Sequence, residues 1–345
     1  MQNFMGKDNF VWWMGVVESR QDPLALGRCQ IRFFAHNTNS LVDLPTNKLP
    51  WAHAAFSLNK EPSKTRVGIV SADEKSIQEL DLGVDVSEEG IVAILKADLA
   101  GKTPKSVATH AINEVRLLAP VPRPRRNIFC VGKNYHEHAK EFSNSGFDGS
   151  AKPGEDIPSH AIFFTKPPEA VTGPNTNVII PTAVSTCIDY EAELTIVIGK
   201  GGKGISEADA LKHVWGYTAI NDVTARDWQQ RHKQWFLGKS FDTFCPMGPW
   251  VVTADEVKHD DIPVKCWVNG ELRQNSNTKD FIFDIPNMIA TVSAGITLYP
   301  GDLIATGTPV GVGIGFKPPK YLVNGDVVVV EMGGIGKLEN TFIAE

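Results

Sequence analysis

Two glutamates stand two residues apart at the start of an apolar run, in the segment 189–198, Asp-Tyr-Glu-Ala-Glu-Leu-Thr-Ile-Val-Ile. Side chains alternate between the two faces of a strand, so we expect Glu191 and Glu193 to point the same way. Adjacent carboxylates repel each other unless a cation lies between them, and oxygen-only ligands suit Mg²⁺ or Mn²⁺, and also Ca²⁺. The pair is therefore a candidate metal site, although a solvated strand face is the ordinary interpretation of Glu-x-Glu alone.

A second polar segment, 222–229 (Asp-Val-Thr-Ala-Arg-Asp-Trp-Gln), follows a β-like run at 215–220. If a helix begins near Asp222, offsets of four and seven residues place Asp222, Arg226 and Gln229 on one helix face. That face would offer a third metal ligand beside an arginine and an amide that bind an anion. The alternative is a surface helix whose first-turn carboxylate pairs with an arginine four residues later.

A third segment, 130–141, passes from an apolar strand end into a predicted helix that carries two histidines. His138 and Glu141 are three residues apart, so they can form a hydrogen bond on one face of the helix. A carboxylate that orients an imidazole makes it a better general base. Two alternatives stay open: His136 as the base or as part of a His-x-His metal site, and two exposed histidines on a polar helix. Lys133 and Lys166 are further candidate cations.

The segment 199–204, Gly-Lys-Gly-Gly-Lys-Gly, matches the dinucleotide-binding pattern G-x-G-x-x-G, and Asp222 follows about 20 residues later. Two features argue against a nucleotide site. The first strand of such a unit is buried on both faces, which the two glutamates contradict, and Ser206 as the helix N-cap places the glycines before the helix. We therefore predict a Gly-rich turn here.

These side chains require a β-rich frame to position them. Apolar, β-branched runs dominate the second half of the chain, at 178–180, 194–198, 250–252, 264–268, 303–305 and 327–330. Few helical stretches interrupt them, so the chain is predicted to be mainly β with some α. The 345 residues allow two or three domains.

Local composition predicts where these domains begin and end. Alternating residues around Asp-Pro and Gly predict a β-hairpin within 10–34, the polar stretch 57–65 reads as a linker, and the proline run 120–126 marks a second boundary. A short strand at 67–70 and a helix over 87–99 predict a small α/β domain. The predicted units are 1–60, 66–120 and 125–345.

Charge and cysteine usage restrict the partners and the compartment. Lys and Arg total 34 against 40 for Asp and Glu, which gives a net charge of −6. This balance offers no field that attracts nucleic acid. The five cysteines form no C-x-x-C pair, and the chain shows neither a signal sequence nor an apolar run of membrane-spanning length. We expect a cytoplasmic protein without a membrane or nucleic-acid partner.

Several ordered motifs resemble the fumarylacetoacetate hydrolase family over about residues 66–341. The blocks are 131–135, 164–167 with 172–174, 189–193, 221–227, 238–242 and 306–309. The resemblance implies a mixed β-roll catalytic domain, usually in a homodimer, with Mg²⁺ or Mn²⁺ bound by Glu191, Glu193 and Asp222. It implies a catalytic dyad of His138 and Glu141 on a lid segment and a catalytic lysine, Lys239. It also implies substrate contacts from Arg226, Gln229 and Thr308.

The same resemblance implies a metal-dependent reaction on a small 2-oxo acid. Our primary prediction is hydrolysis of a C–C bond in a 2-oxo or 2,4-dioxo acid of the acylpyruvate or fumarylpyruvate type, through an enolate that the metal and Lys239 stabilise. The alternatives on the same site are oxaloacetate-type decarboxylation and 2-hydroxymuconate-type isomerisation.

The N-terminal segment resembles a different kind of protein. Gly15-Val16-Val17-Glu18, Asp22-Pro23-Leu24, Leu26-Gly27-Arg28 and Leu49-Pro50-Trp51 are similar to the N-terminal OB-fold domain of phage baseplate spike-lysozyme proteins, over about residues 10–56. The resemblance implies a phage baseplate context for this OB-like module. A structural adaptor without activity is therefore an alternative function for the whole chain.

Overall fold

The computed structural model describes residues 65–146 and 157–345 in full, and the backbone of three strands nearer the N-terminus. The chain divides into two compact units, Met1–Lys64 and Thr65–Glu345. Among the described residues, no helix has both the length and the apolar character needed to cross a bilayer.

The first unit contains a three-stranded sheet of β1 (Gly15–Ser19), β2 (Arg28–Phe33) and β3 (Trp51–His53). Strand β1 pairs antiparallel with β2, and β2 pairs antiparallel with β3. The predicted pairing of strands within 10–34 is therefore confirmed. The rest of the segment 10–56, on which the OB-fold prediction depends, lies outside the described residues.

The second unit is built mainly of strands. These are β4 (Gly68–Val70), β5 (Ser76–Asp81), β6 (Lys105–Ala111), β7 (Ile128–Gly132), β8 (Ile162–Lys166), β9 (Val171–Thr172), β10 (Asn177–Ile180), β11 (Ile188–Asp189), β12 (Ala192–Ile198), β13 (Val214–Asn221), β14 (Thr224–Ala225), β15 (Cys245–Thr253), β16 (Pro263–Val268), β17 (Glu271–Asn277), β18 (Leu303–Ala305), β19 (Val327–Met332) and β20 (Gly336–Ala344). The α-helices are α1 (Val92–Leu99), α2 (His136–Ser143), α3 (Glu207–Ala210), α4 (Arg226–Arg231), α5 (Phe236–Lys239) and α6 (Ile285–Ser293). The mainly β prediction is confirmed.

Two large sheets form the frame of this unit. The seven-stranded sheet has the order β8-β7-β18-β12-β13-β15-β9, and the five-stranded sheet has the order β10-β20-β19-β16-β17. Strands β12 and β13 pack on β16, β19 and β20, so the main apolar core lies between the two sheets. Leu194 and Tyr217 from one sheet and Val264 and Val330 from the other are all buried in that core. Burial of these apolar side chains holds the sheets together.

A separate sheet lies near the start of the second unit. Strands β4, β5 and β6 form a three-stranded antiparallel sheet, and α1 follows β5 in the chain. Val67, Val86 and Ala93 form a small core of their own. Helix α1 begins at Val92, five residues later than predicted, after Ile91 as its N-cap residue. The predicted domains 66–120 and 125–345 stay a prediction.

The glycine-rich segment 199–204 is a turn, as predicted, but one argument for that prediction is wrong. All seven residues of β12 are buried, so the glutamates do not mark a solvent-exposed face. What distinguishes β12 from the first strand of a dinucleotide fold is its pairing, because both of its sheet neighbours, β13 and β18, run antiparallel to it. The turn is held by backbone bonds between Gly202 and Leu298, at 3.0 and 2.8 Å.

Candidate metal centre

The central strand of the larger sheet positions the two glutamates. Glu191 lies just before β12 and Glu193 is its second residue, and both side chains are buried. Two side-chain amides hold the backbone here: the Glu191 amide donates to Asn221 Oδ1 at 2.9 Å, and the Ala192 amide donates to Gln274 Oε1 at 3.0 Å. The structure thus holds the two carboxylates on a rigid strand between antiparallel neighbours.

Asp222 joins this pair from the end of β13. Its backbone amide donates to the Glu191 carbonyl at 2.8 Å, which places the two residues side by side. Carboxylate oxygens of Glu191, Glu193 and Asp222 all lie within 4.8 Å of one another. The structure therefore brings the three predicted metal ligands together.

The predicted helix that starts at Asp222 is wrong. Residues Thr224–Ala225 form β14, which pairs with β11, and this extended pairing delays the helix to Arg226. Asp222 consequently lies before the helix. Arg226 and Gln229 share the first turn of the helix, where Arg226 Nη1 donates to Gln229 Oε1 at 3.2 Å. Arg226 and Gln229 therefore meet on the helix, whereas Asp222 reaches the site from the end of β13 and pairs with Lys239.

Buried acids and bases alternate in a continuous chain around the triad. Successive ion pairs join Asp189 to Arg226 (2.9 Å), Arg226 to Glu191 (2.7 Å), Glu191 to Lys239 (2.8 Å), Lys239 to Asp222 (2.7 Å) and Asp222 to Lys166 (2.6 Å). Every one of these six side chains is almost completely buried. Because three carboxylates face three cations, the charges of this ion-pair network cancel.

Glu193 is the carboxylate left over from this pairing. Among the described residues it has no ion-pair partner, and its Oε2 accepts a hydrogen bond from the Gly307 amide at 2.9 Å. Burial, together with the charges of Asp222 and Glu191, raises its pKa well above the usual range. Burial also acts to raise the pKa of Glu191, but Lys239 and Arg226 outweigh it and hold that pKa at about 2.

This arrangement fits a divalent cation. Three buried carboxylates supply only oxygen ligands, which is the donor set that Mg²⁺, Mn²⁺ and Ca²⁺ prefer. No side chain in residues 65–146 and 157–345 pairs with Glu193 at ion-pair distance, and a cation among the three carboxylates would supply the missing positive neighbour. The donor chemistry and the unmatched charge therefore agree with the predicted metal site.

Helix α2 holds the predicted dyad beside this site. His138 is buried, and its Nδ1 lies 3.1 Å from Glu141 Oε2. The Gly311 amide donates to both oxygens of Glu141, at 3.0 and 3.2 Å. A Cβ atom on Gly315 would lie only 2.1 Å from Glu141 Oε1, so the close approach of this loop requires glycine. His136 is exposed on the same helix, which leaves His138 as the histidine that faces inward.

A small cavity connects the dyad with the carboxylates. Of the predicted site residues, it is lined by His138, Glu191, Glu193, Arg226, Gln229, Lys239 and Thr308. Asp222 and Glu141 lie directly behind this lining, in contact with Lys239 and His138. The empty space at this site is about 290 Å³, part of it open to solvent.

Sequence reasoning missed two features of the site. Asp189 accepts from Arg226 Nε at 2.9 Å and from the amides of Gly313 and Ile314 at 2.6 and 3.0 Å, so it ties the arginine to the loop that holds Glu141. Its position just before the Glu-x-Glu pattern is the sequence feature that could have identified Asp189 as a site residue. Trp235 also lines the cavity, and it had no signal, because an aromatic residue in a polar segment is usually a packing residue.

Comparisons with known proteins show the family of this chain. A sequence model described as fumarylacetoacetate (FAA) hydrolase C-terminal matches residues 127–343. The chain belongs to the fumarylacetoacetate hydrolase family. Oxaloacetate tautomerase YisK of Bacillus subtilis is 49% identical over 232 residues, which cover 67% of this chain and 74% of the relative. The mitochondrial oxaloacetate tautomerase FAHD2A of Homo sapiens is 43% identical over 255 residues, which cover 70% and 77%.

Solved structures of this enzyme family share the fold. The 2-hydroxyhepta-2,4-diene-1,7-dioate isomerase from Mycobacterium marinum superimposes with a TM-score of 0.62 at 35% identity, over 78% of this chain and 88% of the other. Fumarylacetoacetate hydrolase from Exiguobacterium antarcticum gives 0.65 at 40%, over 80% and 98%. Tautomerases and isomerases thus predominate among these relatives, which supports the alternative of isomerisation more than the primary prediction of hydrolysis. The phage resemblance of residues 10–56 gains no support.

Proposed function

We propose that this member of the fumarylacetoacetate hydrolase family catalyses keto–enol tautomerisation of oxaloacetate or a close 2-oxo diacid, assisted by Mg²⁺ or Mn²⁺. The observation that carries the proposal is the meeting of a buried carboxylate triad and a histidine–glutamate dyad at one small cavity. Several relatives that are more than 40% identical are named oxaloacetate tautomerases, which supports the choice of reaction.

Glu191, Glu193 and Asp222 would hold the metal ion. When bound, a divalent ion supplies Lewis acidity that favours negative charge on the oxygen at C2. Lys239 adds a second positive charge at the same place. Two of its three N–H groups bind Glu191 and Asp222, at 2.8 and 2.7 Å, which leaves the third for a substrate oxygen.

Arg226 is the group we assign to the substrate's C1 carboxylate. Its Nε and Nη1 are engaged by Asp189, Glu191 and Gln229, whereas its buried Nη2 has no hydrogen-bond partner within the described part of the chain. A buried donor without a partner is costly, so an incoming carboxylate oxygen would bind there favourably. Thr308 can donate to the same ligand, because its Oγ1 accepts from Gln274 Nε2 at 2.8 Å and its proton stays available.

His138 is the group we assign to proton transfer. A proton on Nδ1 pairs with Glu141, which leaves Nε2 as the acceptor. Nε2 takes a proton from C3, the C–H electrons form the C2–C3 double bond, and the carbonyl electrons move to the C2 oxygen, which then takes that proton from Nε2. The reverse steps convert the enol to the keto form. Glu141 keeps the imidazole oriented because the Gly311 amide holds its carboxylate.

An aromatic wall limits water at this cavity. The ring of Trp235 meets Phe142 and Phe164 edge to face, with centroids 6.0 and 5.4 Å apart. All three rings line the cavity, and Lys239 Nζ lies 4.9 Å from the Phe164 ring centroid. Apolar walls strengthen the charge interactions on which enolate stabilisation depends.

Hydrolysis of a C–C bond is the second candidate function. The observation that favours it is the 40% identity to a solved structure named fumarylacetoacetate hydrolase. In that reaction His138 would take a proton from water rather than from C3, and the site would release pyruvate from an acylpyruvate. The two functions therefore share every residue and differ in the measured product.

Purified full-length protein with Mg²⁺ or Mn²⁺ would test the proposal by the rate at which enol oxaloacetate converts to the keto form, followed by ultraviolet absorbance. We expect acceleration over buffer that Glu193→Gln and Glu141→Gln abolish. Glu137→Gln is the matched control, because Glu137 is exposed on the same helix and pairs only with Lys140 among the described residues. Pyruvate release from acylpyruvates and from oxaloacetate measures hydrolysis and decarboxylation in parallel. No acceleration with either metal would overturn the proposal.

A further inference from the structure

Lys133 is a buried lysine with a left-handed backbone at the edge of the cavity. Its φ is 53° and its exposure is 4%. Six non-glycine residues in the described part of the chain have positive φ, and the other five are partly or fully exposed. Strained backbone at a buried, charged position is typical of functional sites.

Both sequence neighbours of Lys133 are held in place. A Cβ atom on Gly132 would lie 2.2 Å from the ring of Trp235, so the strand end packs directly on the cavity wall. On the other side, Asn134 Nδ2 donates to the Thr306 carbonyl at 2.8 Å. With both neighbours anchored, the left-handed turn at Lys133 aims its side chain at the aromatic wall rather than at solvent.

The ring of Phe142 locates the Lys133 ammonium relative to Arg226. Lys133 Nζ lies 5.6 Å from the ring centroid and the Arg226 guanidinium lies 5.9 Å from it. The two cations are therefore at most about 12 Å apart. Both residues line the same cavity, together with Lys239.

We propose that Lys133 binds the second carboxylate of a dianionic substrate and so makes the site selective for 2-oxo diacids over 2-oxo monoacids. The proposal rests on the proposed function. An extended four-carbon acid holds its carboxylate carbons about 4 Å apart, and a charged donor lies about 2.8 Å from the oxygen it binds. Together these lengths span roughly 10 Å, which lies within the limit of about 12 Å on the separation of Lys133 and Arg226.

Oxaloacetate and 2-oxobutanoate form a matched pair for the test, because both have four carbons and an acidic C3 and only the first has a second carboxylate. Deuterium exchange at C3, followed by proton NMR, measures enolisation of both. We expect Lys133→Met to raise KM for oxaloacetate about ten- to hundredfold, with exchange of 2-oxobutanoate unchanged within about twofold. Lys133→Arg should retain the preference. Lys140→Met is the control, because Lys140 is exposed on α2.

Equal losses for both acids, or no loss for either, would overturn the role of Lys133. If the wild-type protein enolises neither acid, the proposed function fails, and calorimetric affinities for the two acids in the presence of Mn²⁺ test Lys133 separately. A preference for oxaloacetate that Lys133→Met removes would support the inference without turnover. Equal wild-type affinities for the two acids would overturn it.

Discussion

Replacing Asp189 by asparagine tests whether the buried ion-pair chain holds the site together. The carboxylate of Asp189 is fully buried and accepts four hydrogen bonds, from Arg226 Nε and from the amides of Tyr190, Gly313 and Ile314, at 2.6–3.0 Å. An asparagine side chain has one oxygen, so its amide nitrogen would face two of these donors. Arg226 would also remain buried without its ion pair to Asp189.

The expected loss of stability follows from these contacts. Removing one partner of a buried ion pair costs about 3–5 kcal/mol, and because Arg226 keeps its ion pair with Glu191 we expect the lower end of this range. For a unit of this size the melting temperature should fall by roughly 5–15 °C. The free energy of unfolding, measured by urea denaturation of the metal-free protein, gives the first value directly.

Two further variants make this prediction sharp. Asp209→Asn is the control, because the Asp209–Lys212 pair lies on the surface with both side chains more than half exposed, and its loss should leave stability unchanged. In an Arg226→Met background, Asp189→Asn should cost less, because the Asp189–Arg226 ion pair is already absent. Equal costs in the two backgrounds, or a single variant as stable as the wild type, would refute the reasoning.

Three other predictions follow from single contacts. Glu193→Gln should weaken Mn²⁺ binding by more than about a hundredfold in calorimetry, and wild-type affinity would contradict the metal site. Gly315→Ala should lower kcat for the proposed tautomerisation roughly a hundredfold, because the new Cβ displaces Glu141. Gly295→Ala is the control, because a Cβ there meets open space, and it should leave kcat unchanged. The hydrogen bonds from Ser71 and the Lys75 amide lower the pKa of Asp73 below 3.8, so Ser71→Ala should raise it in an NMR titration. The stability that this Ser71 bond contributes is present above pH 3.8 and disappears as the pH falls through the Asp73 pKa. Ser71→Ala should therefore lower the free energy of unfolding above that pKa and leave it unchanged below it.

Short-range periodicity predicted the parts of the site that one element positions. Glu191 and Glu193 converge because residues two apart on extended backbone share a face, and His138 reaches Glu141 because residues three apart share a helix face. Neither statement needs knowledge of the rest of the chain. The wrong details, such as a helix beginning at Asp222, came from local pattern without knowledge of strand pairing.

Long-range pairing positions the remainder, and no local pattern encodes it. Lys166 stands at the end of β8, an edge strand, and reaches Asp222 only because of the order in which seven strands assemble. Asp189 meets Arg226 through the pairing of β11 with β14. These contacts join residues 37 and 56 positions apart in sequence, so composition and spacing alone identify the charged residues but not their partners.

The charge of the buried network gives a physical reason why the proposed divalent ion and the proposed dianionic substrate would share one site. Three acids and three bases cancel along the chain from Asp189 to Lys166, and Glu193 adds one negative charge that has no partner at ion-pair distance in the described part of the protein. A monovalent ion would only neutralise that charge, whereas a divalent ion leaves the site with one net positive charge. A 2-oxo diacid brings two negative charges, and Lys133 is a further cation at the same cavity. Since uncompensated charge is costly in a buried site, the proposed metal and diacid would each make the other's binding more favourable.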